Sequence, residues 1–331
     1  MSVGVESASP SFSRARIRRL IPQPIFLILF VLLVWIAIQS PDFATGSVFM
    51  AFLKRAAPLM ILAAGELFVI ASGEFDLSIG SLITVVVVVA ASLINNDPAR
   101  VPQVIALLFG IGLVVGLING LVTTRLHVPS FITTLGMLLI LSGVALYYTG
   151  GSPRGAVTDN FRIYGRGNIL DVPVVEVLPY AVIVTLAVGV IGYLVLHRTT
   201  FGHRLLATGG NPRTARLSGV NVANVRTLAF VLSALFATVA GILVGGLYPI
   251  THDPGLGYEF QAISAVVLGG AVLGGGRGSV PAAMAGALSL YALFTLLNVL
   301  GLPTPLRPAV QGVIIIGAMA FAAYRLRRSS Q

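Results

Sequence analysis

APLMILAAGELFVIASGEFDLSIGSLITVVVVVAASLI, residues 57–94, sets two long apolar arms around one short polar break. The arms suit lipid: a helix crosses a bilayer core of about 30 Å with ~20 mostly apolar residues. Between them GEFDLSIGS, residues 73–81, carries two carboxylates, Glu74 and Asp76. Charge is costly at membrane depth, so two acids in such a place need a reason. A structural reason is at hand. Gly73 ends one helix, Asp76 or Ser78 caps the next, and the acids sit at that helix's positive end. The other reading gives them a part in substrate contact or gating, and the residues alone leave both open.

Composition generalises what the stretch suggests. The chain has 331 residues, of which 56% are hydrophobic and 10% charged, where a soluble domain carries about a quarter charged. Such a chain cannot clothe a water-facing surface, and lipid becomes its main solvent. The formal charge is +10, from 21 basic against 11 acidic residues. No basic–aromatic interleaving or nucleic-acid motif accompanies that excess, which fits anchoring of loops at a membrane face and no nucleic-acid partner. Cysteine is absent, which excludes disulfides, thiol chemistry and Cys-based metal sites.

Hydropathy then predicts an all-α, polytopic transmembrane helix bundle of about ten spans: 21–39, 56–72, 78–95, 102–123, 130–149, 175–197, 225–248, 259–274, 279–300 and 307–325. The second and eighth are short enough to be tilted, broken or incompletely spanning. With ten spans both termini share a side. Fourteen arginines, including Arg14, Arg16, Arg18, Arg19 and five between residues 198 and 226, gather there, against seven basic residues opposite. The positive-inside rule makes that side cytoplasmic. The expected organisation is a basic cytoplasmic segment 1–20, a membrane domain 21–325 and a cytoplasmic tail 326–331. The first span reads as a retained anchor, because its basic leader is long and no A-x-A-like site follows.

Gly112, Gly116 and Gly120 form one stripe on the fourth span, and Gly241 and Gly245 another on the seventh. Small residues at this spacing let helices approach closely in lipid, within one subunit or across a dimer face. Polar groups inside spans are few: Glu66, Asn119, Thr133, Thr134, Gln261 and Asn298. Glu66 is the only acid well inside one. It reads as a proton or substrate ligand, or as a hydrogen-bonded tie between helices; Asn119 reads as interhelical glue or a ligand.

Enzyme chemistry is not legible. The four histidines are scattered and form no HExxH. LGGAVLGGGRGSV, residues 268–280, has the glycines of a phosphate loop without its Lys-Ser/Thr ending. Those glycines instead suit a turn that approaches another backbone. The segment 198–226 is too long for a simple turn. GGNPRTARLSG predicts a short helix at 214–218, with Asn211 as cap, Pro212 at the first helical position and Gly219 at the end. A compact basic helix there is a docking element or a headgroup-binding loop.

Four stretches together carry a family resemblance: GEFDLSIGS (73–81), GLINGLVTTRLHVPSFITTLG (116–136), FGHRLLATGGNPRTARLSGVNV (201–222) and GYEFQAISAVVLGGAVLGGGRGSV (257–280). In order and spacing the chain resembles, from about residue 50 onward, the permease subunits of ABC sugar importers of the ribose/xylose/arabinose/galactose type (carbohydrate uptake class 2). The resemblance implies a bacterial cytoplasmic (inner) membrane location. It implies a cytoplasmic ABC ATPase partner that hydrolyses the ATP, an extracytoplasmic sugar-binding protein, and a second permease copy or a related permease. No cofactor is implied for this chain. The 198–226 loop becomes the ATPase-coupling element, with Gly209, Gly210, Asn211, Ala215, Ser218 and Gly219 shaping it and Arg204, Arg213 and Arg216 making contact. Glu66, Glu74, Asp76, Asn119 and Thr134 are candidates for the translocation path or its gates. Glu74-Phe75, Gln261 and Pro281 depart from the family pattern, so no particular sugar follows. The rival expectation is a proton-coupled secondary sugar transporter that uses Glu66.

Overall fold

The computed structural model describes residues 24–303, apart from 153 and 174, and a few positions between 306 and 317. The expected terminal segments 1–20 and 326–331 lie outside the described residues, as does most of the tenth expected span, 307–325. Among the described residues the elements run α1 (Pro24–Gln39), α2 (Gly46–Ala71), α3 (Ile79–Ile94), α4 (Val101–Arg125), α5 (Ser130–Thr149) and α6 (Asp159–Arg166), then β1 (Asn168–Val172) and β2 (Glu176–Pro179). The chain continues through α7 (Tyr180–Arg198), α8 (Thr200–Gly210), α9 (Pro212–Leu217), α10 (Val222–Leu247), α11 (Tyr258–Leu268) and α12 (Val280–Val299).

Six of these helices, α2, α4, α5, α7, α10 and α12, are long and apolar enough to cross a membrane. The protein is a polytopic helical membrane protein. At 1.5 Å per residue, α1 and α3 with their 16 residues reach about 24 Å. One expectation changes, and one open alternative closes. The second span is not short: α2 has 26 residues, because the helix continues through Lys54 and Arg55, where hydropathy stops. The eighth does not span: α11 has 11 residues, about 16 Å. It ends at Gly269-Gly270, where Gly270 takes φ +84° and the amides of Gly270 and Ala271 bond back to Val267 and Val266. That pairing is the Schellman closure. The all-α expectation also needs amendment, since β1 and β2 form an antiparallel hairpin where the sixth span was expected to begin.

Two layers of burial organise the bundle. The buried core runs along α2, α3 and α10 and continues into α11 and α12. Around it α1, α4, α5 and α7 expose large apolar side chains such as Leu27, Val114, Leu139 and Leu186, the surface that lipid would cover. The glycine stripes are internal seams. A Cβ on Gly112, Gly116 or Gly120 of α4 would run into α10 at Thr238, Val231 or Thr227, and one on Gly241 into Val86 of α3. Packing within one subunit accounts for both stripes.

Candidate functional site

The break at residues 73–78 is a non-helical connection, partly buried at 73–75 and fully buried at 76–78. Its first half is a helix stop: Gly73 takes φ +89°, and the amides of Gly73 and Glu74 return to the carbonyls of Ile70 and Val69. Its second half does not cap α3 in the expected way. Ser78 is the N-cap residue, but its side chain makes no capping bond. Asp76 turns inward instead and accepts from the Ser78 amide at 3.0 Å and the Ser78 hydroxyl at 2.6 Å. Backbone is tolerated without helix at membrane depth only where protein satisfies it. Here the Phe75 amide donates to Ser130 Oγ, and Thr134 Oγ1 donates to the Ser130 and Phe75 carbonyls.

A chain of polar groups then crosses four helices. Asn119 Nδ2 of α4 donates to Ser78 Oγ at 2.8 Å, and the Asp76 amide donates to Glu66 Oε1 of α2 at 3.2 Å. The Ser233 hydroxyl of α10 lies alongside both carboxyls without closing a well-aligned hydrogen bond to either. Glu66, Asp76, Asn119 and Thr134 are all completely buried. Neither Glu66 nor Asp76 is in a salt bridge among the described residues. Glu66 Oε2, Asp76 Oδ2 and Asn119 Oδ1 have no hydrogen-bond partner there. Unsatisfied buried polar atoms are expensive and call for an explanation. The structure therefore brings Glu66, Asp76, Asn119 and Thr134 to one locus. It sends Glu74 elsewhere, into a 2.6 Å salt bridge with Arg226 at the start of α10.

Nearly two turns further along α3 a second polar contact begins. Thr84 Oγ1 donates to Asp253 Oδ1 at 2.6 Å and accepts from the Gly255 amide. A Cβ on Gly80 would overlap the Glu259 carboxylate, and one on Gly255 the Gly80 carbonyl. The loop 249–257 therefore folds inward against the first turns of α3, and α11 starts from inside the bundle. Sequence reading took Ser78 only as a cap and missed Thr84, Ser233 and Asp253 here. The signal was present, since each is a polar residue within or beside an apolar run.

The 198–226 segment is compact. Asn211 caps α9, its Oδ1 accepting from the amides of Arg213 and Thr214 at 3.0 Å, with Pro212 at the first helical position. Gly219 takes φ +82°, and the amides of Gly219 and Val220 return to Arg216 and Ala215. The expected helix at 214–218 exists as α9, starting two residues earlier. The eleven-residue α8 was not expected; its three glycines and sparse apolar residues hide it, although Thr199 caps it through the Gly202 amide. Ala215 and Gly209 are buried, whereas Arg204, Gly210, Asn211, Arg213, Arg216, Ser218 and Gly219 are exposed. Leu217, at the end of α9, is 84% exposed.

Three glycine turns join this element to the bundle. The Gly276 amide donates to the Ala71 carbonyl at 2.9 Å. A Cβ on Gly209 would overlap that same carbonyl and the Gly276 amide, and one on Gly275 would meet Gly73 and Gly209. The α8 end, the α2–α3 break and the 269–279 turn are thus in backbone contact. Glu66 lies five residues up α2 from Ala71, about 7.5 Å along the axis.

Residues 48–319 match the family model described as "Branched-chain amino acid transport system / permease component". The chain is 35% identical over 305 residues to the ribose import permease protein RbsC of Escherichia coli K12, covering 91% of this chain and 93% of that one. It is 36% identical over 299 residues to RbsC of Bacillus subtilis 168, covering 89% and 90%. To the L-arabinose transport system permease protein AraH of Escherichia coli K12 it is 35% identical over 308 residues, covering 89% and 88%. No solved structure matches the chain significantly.

Proposed function

Because the chain belongs to the family of branched-chain amino acid transport system permease components, we propose that it is the membrane-spanning permease of an ATP-driven, binding-protein-dependent sugar importer. A sugar is favoured over an amino acid because relatives named for ribose and arabinose align along about nine-tenths of the chain. By the arginine asymmetry α8 and α9 lie in the cytoplasm of a bacterial inner-membrane protein, and the 249–257 loop faces outward.

The observation that carries the reading is the triple contact of Gly73, Gly209 and Gly276 beneath the Glu66–Asp76 locus. A cytoplasmic ATPase pair would grip α9, where the exposed Leu217 stands between basic residues Arg213 and Arg216 and the exposed turn at Ser218-Gly219. Arg204, Arg213 and Arg216 make no side-chain hydrogen bond or salt bridge among the described residues, so their donors are free for such a partner. Force on α9 passes through Asn211 and Gly210 to the Gly209 contact, and from there to α2, α3 and the half-helix α11. Those helices carry both polar contacts, Glu66–Asp76–Ser78–Asn119 and Thr84–Asp253, which act as inner and outer closures of the path. Packed interfaces are bistable rather than elastic, so small shifts at the junction convert into alternate open states. A second permease, identical or related, completes the path; binding energy resides in the sugar-binding protein.

Reconstitution in lipid vesicles with candidate ATPase and sugar-binding partners tests this. The expected result is sugar-stimulated ATP hydrolysis with uptake. One feature favours the rival proton-coupled reading, the unpartnered buried Oε2 of Glu66. Glu66→Gln, which keeps the Oε1 acceptor for the Asp76 amide, separates the two: an ATP-driven importer keeps most of its uptake, and a proton carrier loses it. Uptake that persists without any ATPase and collapses with an uncoupler contradicts the proposal.

A further inference from the structure

At the end of the bundle opposite α8 and α9, a cavity of about 330 Å³ is bounded by Lys54, Arg55, Arg166, Leu247, Tyr248 and Tyr291. Three of the six lining residues are cations and none is an acid. Lys54 and Arg55 are adjacent on α2, and Arg166 is the last residue of α6. Lys54 is partly buried here, and the charges of Arg55 and Arg166 add repulsion to the cost of that burial. No salt bridge among the described residues reaches any of the three. Like charges gathered on rigid elements without a counter-charge are a standing electrostatic cost, and a ligand of opposite sign would remove it.

Lys54 Nζ gives one hydrogen bond, to Asn168 Oδ1 at 3.2 Å, and Arg166 Nε gives one, to the Leu247 carbonyl at 3.1 Å. An arginine held through Nε keeps both terminal nitrogens for a forked grip on an oxyanion. Arg55 makes no side-chain hydrogen bond among the described residues, and it lies close enough to act on both Tyr248 and Tyr291. Their hydroxyls are further donors. One turn before Arg166, the buried Nη1 of Arg162 also lacks a partner. Aromatic packing of Phe52 on Tyr291, with centroids 5.4 Å apart, fixes one wall.

We propose that this cavity is an oxyanion-binding site that takes a phosphate or carboxylate group, supplied by a lipid headgroup or by a small acidic solute. Lys54 and Arg55 supply charge from α2, Arg166 supplies the forked contact from α6, and the tyrosines close the shell. The site is separate from the Glu66–Asp76 locus and does not depend on ATP coupling.

The test uses purified full-length protein in neutral detergent, with thermal unfolding followed at constant ionic strength. The probes are inorganic phosphate, galacturonate, phosphatidylglycerol and, as the neutral control, phosphatidylcholine. A saturable upward shift is expected with at least one anionic probe and not with phosphatidylcholine. Saturation by phosphate or galacturonate assigns a small solute; saturation by phosphatidylglycerol alone assigns a headgroup. Arg55→Gln and Lys54→Gln should each weaken that binding at least about tenfold, the weight of one lost charge-assisted hydrogen bond. Arg55→Gln should not lower the unfolding temperature of the ligand-free protein, because it relieves repulsion and breaks no hydrogen bond. Arg100→Gln, at an exposed arginine paired with Asp97, should leave anion binding unchanged. The proposal is overturned if no anionic probe gives a saturable shift, or if both cavity variants bind as the parent does.

Discussion

Gly209→Ala and Gly210→Ala change neighbouring residues of α8 in the same way and should move stability in opposite directions. A Cβ at 209 would overlap the Ala71 carbonyl and crowd the Gly276 amide, both of them backbone. A Cβ at 210 would meet only Gly276 Cα, at an ordinary 3.9 Å. Overpacking costs ~1–3 kcal/mol, and loss of the Gly276–Ala71 hydrogen bond about 0.5–1.5 kcal/mol more. Alanine returns roughly 0.8–1 kcal/mol of helix propensity in either variant. The net expectation is destabilisation by about 1–3 kcal/mol at 209, and a change between zero and about 1 kcal/mol of stabilisation at 210. Thermal or denaturant unfolding of purified protein measures this, and sugar-stimulated ATP hydrolysis in vesicles measures coupling. Gly209→Ala should lose coupling and Gly210→Ala should keep it. Equal behaviour of the two variants in both assays would refute the idea that this contact transmits force.

Three further outcomes are expected. A double-mutant cycle on Glu74→Gln and Arg226→Gln should give a coupling energy of about 0.5–2 kcal/mol, since the side chains are only 13% and 23% exposed; near-zero coupling at low salt would remove any structural role for the pair. Ser78→Ala removes both the donor to Asp76 and the acceptor for Asn119, and should destabilise by roughly 1–3 kcal/mol in unfolding measurements. Gly219→Pro forbids φ +82° and deletes the amide that bonds to Arg216. It should uncouple transport while leaving the protein inserted, as should Arg213→Glu; normal uptake in both would count against α9 as the docking helix.

How much of this was visible in the residues depends on the range of the interaction. Local chemistry was legible: Asn211-Pro212 announces the start of α9 and Gly219 its end, because caps are set within four or five residues. Apolar length located most helices for the same reason. The shortness of the eighth span was legible, but not its stop at Gly269-Gly270, a pair that ends a helix only when the following turn has somewhere to go, here against Ala71 and Gly209. The hairpin of β1 and β2 hid because its strands are short and half apolar. Glu74 and Asp76, two residues apart in one motif, look equivalent in the sequence. Arg226, about 150 residues away, pulls Glu74 toward itself, and Glu66 and Ser78 hold Asp76 inside. The cation cavity was invisible because Arg166 reaches Lys54 and Arg55 only through the folded path of α6.

The central claim, that α8 and α9 form a cytoplasmic lever for a separate motor, has a direct measurement. The chain contains no cysteine, so Arg213→Cys carries a single thiol at the tip of that lever. A membrane-impermeant maleimide should label it in inside-out vesicles and leave it untouched in intact cells. Labelling from outside intact cells would put the lever on the wrong side of the membrane and contradict the account.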